Sequence, residues 1–155
     1  MILKQLIKSL KLDYVNSDIT EENFPLTEEG KIDKIFSFKK YRTSEEVISK
    51  MDKEGYRPAN IYEMLAWAKE DWNGKDWVVA LGSRWQGPFG DRLVPYLYRD
   101  SGPRSLYLHW FDPRWHSNDR LAAVRKSDSR KPGTIESSDT LPSELVINNV
   151  KYRKA

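Results

Sequence analysis

The sequence predicts an α+β domain, and three observations predict it. Two consecutive stretches, 43–55 and 60–70, carry apolar residues at helical spacing behind capping signatures. The periodicity then changes at Trp77, from helical spacing to short apolar runs. Turn residues punctuate those runs: Asn73-Gly74, Gly82, Gly87-Pro88, Gly90 and Ser101-Gly102-Pro103. Helices grouped before strands belong to an α+β arrangement, here with a mostly antiparallel sheet.

Along the chain, Leu3, Leu6, Ile7 and Leu10 are spaced for one helix face, with Lys4, Lys8 and Lys11 between them. That pattern predicts a short helix docking on the domain. A secretory signal would need an unbroken apolar segment and a small-residue cleavage site, which this segment lacks. Residues 13–34 are polar, contain Pro25 and Gly30, and read as loop. Ile35, Phe36, Phe38 and Tyr41 suggest a short strand. Thr43 and Glu46 fit a capping box, in which a hydroxyl and a carboxylate satisfy free backbone N–H groups. Val47, Ile48 and Met51 give that helix its apolar face, and Gly55 is a natural stop. Residues 56–59 connect to a second capping pair, Asn60 and Glu63, ahead of the stripe Ile61, Met64, Leu65 and Ala68.

The strands follow at 77–81, 93–99 and 105–111, and 121–125 closes the sheet. Residues 84–92 read as loop. Residues 127–140 are rich in Ser, Asp, Lys, Gly and Pro and read as a linker. Beyond them, apolar runs flank Asn148-Asn149, which predicts a hairpin packing on the domain. The chain thus divides into an N-terminal helix and loop (1–34), a main domain (35–126), and a linker with hairpin (127–155).

Composition narrows the function classes. Six Trp, eight Tyr and five Phe are a heavy aromatic load, concentrated after Tyr56. The 26 basic residues are nearly cancelled by 23 acidic ones, so net charge is weak support for nucleic-acid binding. With no cysteine, disulfides, thiolate zinc sites and cysteine nucleophiles are excluded. No apolar run approaches the ~18 residues of a membrane span.

The organising stretch is 94–126. Leu106, Leu108 and Trp110 alternate with Ser105, Tyr107 and His109, so one set can face a core and the other solvent. The outward set and the loop at 112–119 hold residue types suited to partner contact. The candidate binding residues are Tyr96, Tyr98, Ser105, Tyr107, His109, Asp112, Pro113, Arg114, His116, Ser117 and Asp119. Trp77, Leu106, Leu108, Trp110 and Trp115 are read as scaffold. Trp110 is assigned to the core because it is in register with Leu106 and Leu108.

Chemistry is hard to find. His109, Asp112 and His116 match no standard zinc spacing, so no metal is expected. The chain has no G-x-S-x-G elbow and no phosphate-binding glycine loop. Most of the carboxylates fall on helix faces and caps, and no acid/base pair can be assigned. No cofactor and no enzyme activity are expected. Arg84, Arg92, Arg99, Arg104, Arg114, Arg120 and Arg125 beside the aromatics leave single-stranded nucleic-acid binding as an alternative. The plainer reading stacks these arginines on tryptophans at the core rim.

Two helices followed by WVVALGS (77–83), VPYLYRD (94–100) and LYLHWFDPRWHSNDRLAAVRK (106–126) resemble the variable proteins of diversity-generating retroelements, most closely those of archaea and their viruses. The resemblance covers about residues 35–126. It implies a C-type-lectin-like fold and non-enzymatic binding of a protein or glycan. In that family a reverse transcriptase copies a template with errors at adenines, and the altered copy replaces the variable region. Asn codons then become Tyr, His, Asp, Ser, Pro or Arg, but not Trp. The candidate binding residues fit that rule, and Trp110 and Trp115 would be constant. Related lectin-like families depart from this sequence. The formylglycine-generating enzymes use cysteines, and calcium-dependent lectins carry Glu-Pro-Asn or Trp-Asn-Asp triplets that are absent here.

Overall fold

The computed structural model describes residues 2–99, 101–112 and 114–131. Among these residues the chain forms a mixed α+β structure: three α-helices and one large, mostly antiparallel sheet, with a small two-stranded ladder beside it. The predicted hairpin at 145–152 and most of the linker lie outside the described residues, as does Pro113.

Helix α1 (Leu3–Ser9) packs against α3 and buries Leu3 and Leu6. The segment read as loop contains two strands. The first, β1 (Tyr14–Val15), pairs in parallel with a later strand, and β2 (Ile32–Phe36) begins before the residues that predicted it. Next comes β3 (Arg42–Thr43), leading into α2 (Ser44–Lys53). The capping box forms: Thr43 Oγ1 accepts from the Glu46 N–H at 3.1 Å, and Glu46 accepts from the Thr43 N–H at 2.8 Å. The Thr43 backbone N–H is the main reason the Glu46 carboxyl titrates below its ordinary range.

The connection after α2 is also a strand, β4 (Tyr56–Pro58). Helix α3 (Ile61–Asp71) is capped by Asn60 and Glu63 as the spacing predicts. Glu63 is also clamped by Arg57, whose guanidinium donates to both carboxylate oxygens at 2.9 and 2.6 Å. The remaining strands are β5 (Trp77–Val79), β6 (Trp85–Gln86), β7 (Arg92–Tyr98), β8 (Ser105–Trp110), β9 (Arg114–Trp115) and β10 (Asp119–Arg125). A 3₁₀ turn at Lys126–Asp128 follows.

The main sheet runs β1-β8-β7-β5-β10-β2, with β4 also on β10 and β6 on β7. Two pairings are parallel, β1 with β8 and β5 with β10. Strand alternation sorts the core into two layers. Leu97, Leu106, Val78, Ala122 and Val124 meet α1 and α3 on one face. Val94, Val79, Leu121 and Ala123 meet Val47 and Met51 of α2 on the other, joined by Phe111 and Trp115. Gly82 is needed where β5 exits. A Cβ there would lie 2.5 Å from the Pro58 oxygen and 2.7 Å from the Ala59 oxygen.

Candidate functional site

Helix α2 and the β3–β9 ladder cover only part of their face of the sheet. Aromatic rings pave the part they leave. Register sets them side by side: Tyr96 opposes Tyr107, Tyr98 opposes Ser105, and Val94 opposes His109 across β7 and β8. On the other side of β7, Val79 opposes Tyr96. Trp77 lies two residues earlier on β5, on that same face.

The rings are in continuous contact. Tyr96 and Tyr98 stack at 5.1 Å with planes 19° apart. Trp77 meets Tyr98 edge-on at 5.5 Å, and Tyr98 meets Tyr107 at 5.9 Å. His109 stands edge-on to Tyr96 at 5.4 Å and lies 4.7 Å from the Trp115 ring. At one end Tyr14 packs on Tyr107 at 4.9 Å. At the other, His116 touches Trp77 at 6.3 Å and Tyr41 at 6.2 Å. Tyr14 and Tyr41 are 42% and 62% exposed, and the rings between them are half-buried, except for buried Trp115. The Tyr96 phenol is pushed up to about 12, first by burial and then by Tyr98, Tyr107 and Asp119.

The loop carrying β9 is pinned from below. Trp115 is 2% exposed, and its indole N–H donates to Ser44 Oγ at 2.8 Å. Ser44 in turn donates to the Phe111 carbonyl at 2.5 Å. At the far end of the loop, Asp119 Oδ2 accepts from the His116 N–H at 2.9 Å. Arg114 and Ser117 are exposed between these anchors. Asp112 is exposed but engaged, with both carboxylate oxygens on the Arg92 guanidinium at 2.6 and 3.2 Å.

Of the expected binding residues, Tyr96, Tyr98, Tyr107, His109 and His116 come together on this shelf, and Asp112, Arg114 and Ser117 lie on its loop. Three expectations are corrected. Ser105 is buried, because β1 pairs onto the edge of β8 beside it. Asp119 is only 3% exposed and closes the loop from inside. Trp110, assigned to the core, is 58% exposed. Its alternation with Leu106 and Leu108 puts it on the helix-covered face, but burial falls along β8 from Leu106 to half-buried Leu108. The helical layer ends before Trp110. Of the other scaffold residues, Leu106 is buried, while Trp77 is half-buried and belongs to the shelf itself.

Sequence reasoning missed Tyr14 and Tyr41 as shelf residues. Tyr14 sits in a strand that only its pairing with β8 reveals. The arginines are largely occupied within the chain. Arg84 and Arg92 lie over Phe111 at 4.3 and 4.5 Å, and Arg125 over Tyr56 at 4.9 Å. Arg99, Arg104 and Arg120 donate to backbone carbonyls. The expected stacking thus occurs on Phe and Tyr; among the described residues no cation lies over a tryptophan. No group of three or more metal-ligating side chains forms among the described residues. No helix among them is long and apolar enough to cross a membrane. Comparison with family models, with curated proteins and with solved structures finds no match.

Proposed function

We propose that the chain is a ligand-binding protein of the retroelement variable type, with a C-type-lectin-like fold and a diversifiable face that recognises a protein or a glycan. The observation that carries this reading is the aromatic shelf. Half-buried Tyr, Trp and His rings lie uncovered on a sheet whose strands are fixed by packed layers on both sides. Rigid aromatic anchors supply contact area at low entropic cost. Exposed neighbours such as Arg114 and Ser117 can change side chain without disturbing that frame. The reading involves no chemical step and no cofactor.

Aligning the gene with a neighbouring template repeat tests the proposal. Differences should cluster at the codons for Tyr96, Tyr98, Tyr107, His109 and the loop at 112–117, spare the tryptophans, and fall only at adenine positions of the template. Differences scattered over all four bases overturn it. The alternative, single-stranded nucleic-acid binding, draws on the stacked tyrosines. It is weakened by the arginines already tied to Phe111, Tyr56 and backbone carbonyls. A gel-shift assay with an oligonucleotide at low salt separates the two, because phosphate contacts are strongest there.

A further inference from the structure

We infer that the shelf is built for a cation: its ligand is a protein segment presenting a lysine or arginine side chain to the rings of Trp77, Tyr96, Tyr98 and Tyr107. This rests on the ligand-binding reading above and names the chemistry of its partner.

Aromatic rings present electron-rich faces to a cation within about 6 Å of the ring centroid. Tyr96 and Tyr98 each meet the other three rings, at 5.1 to 6.4 Å, so one side chain can lie against several of them. The contrast with the rest of the molecule is informative. Other rim rings already carry a cation of the chain's own: Lys34 over Phe36 and Tyr56, Arg42 over Phe38, and Arg84 and Arg92 over Phe111. Among the described residues, no lysine or arginine lies over a shelf ring.

Negative charge lies in the shelf's floor and at one end, while exposed Arg114 sits on the loop at the other. Asp119 is buried in its floor, opposite Trp77 in the strand pairing. One carboxylate oxygen accepts from the His116 N–H. The other accepts no hydrogen bond from the described residues. Asp18 adds negative charge near Tyr14, whose phenol is held above its ordinary range first by desolvation, then by Tyr107, and least by Asp18. The shelf spans β1, β8, β7 and β5, a width suited to a protein segment rather than a small ammonium ion. The same negative charge opposes a phosphate backbone.

Selection of phage-displayed random peptides on the full chain tests this, with counter-selection on a Tyr98→Leu/Tyr107→Leu variant whose folding is checked by circular dichroism. Enriched peptides should share an arginine or lysine, and replacing it by citrulline or norleucine should weaken binding about tenfold. That comparison alters only the peptide, so it stands even if the variant misfolds. On Asp119→Asn the gap between the arginine and citrulline peptides should narrow. Shelf-dependent peptides indifferent to that replacement overturn the cation inference and leave the ligand-binding reading intact. Binding only on a glycan array does the same. If no peptide and no glycan distinguishes the chain from the variant, both fail.

Discussion

Single residues in this protein are governed by what covers them more than by their type. Trp110 and Trp115 show it within six positions of each other: the first overhangs the helical layer, and the second is sealed beneath the loop it anchors. Trp115→Ala should therefore cost about 3–5 kcal/mol in chemical denaturation, the usual price of truncating a buried Trp. Trp110→Ser should shift stability by about half a kcal/mol or less. Tyr96 makes a separate prediction. Its folded-state pKa lies near 12, against 10.0 for a free tyrosine, chiefly through burial. Between these values the unfolded chain loses this proton while the folded chain keeps it. Stability present below pH 10 is thus lost as pH rises toward 12. Tyr96→Phe should flatten that part of the stability profile, measured by denaturant midpoints across the alkaline range.

At the scale of elements, the loop carrying β9 depends on one hydroxyl. Ser44 opens α2 and joins the Trp115 indole to the Phe111 carbonyl. Ser44→Ala leaves both buried groups without that partner and should cost about 1–3 kcal/mol. Amide exchange should rise at 111–116 more than elsewhere. Gly82 ties β5 to the start of α3, since its N–H donates to the Ala59 oxygen at 2.8 Å. Gly82→Ala forces a methyl group against two backbone oxygens and should destabilise the fold by about 1–3 kcal/mol in thermal unfolding. The elements most legible in the sequence were those with local codes. The capping boxes at Thr43/Glu46 and Asn60/Glu63 located α2 and α3, because each satisfies its own backbone N–H groups within four residues. Strands β1 and β4 had no such code. Two or three residues carry too little periodicity, and each is a strand only because β8 or β10 offers it an edge.

Over the whole molecule, the sheet is a partition between two unlike faces. One is closed by α1 and α3; the other is closed by α2 at one end and left as the aromatic shelf at the other. Removing residues 1–12 would uncover the layer that Leu3, Leu6 and Leu10 seal. Such a truncated chain should melt at lower temperature and bind a hydrophobic dye, whereas changing Arg114 and Ser117 together should leave the melting temperature nearly unchanged.

The amino-acid order by itself determined the class of the fold, the two capped helices, the main strands and the stretch from which most of the shelf is drawn. Those follow from interactions among neighbours in the chain: capping pairs, apolar periodicity and turn residues. Only the tertiary structure decided which side chains come together on the open face. Tyr14 joined the shelf through a parallel pairing with β8, across ninety residues of sequence. Ser105 and Asp119 were withdrawn from it, and Trp110 was left outside the core. Strand alternation chooses a face, but whether that face is buried depends on where distant layers end.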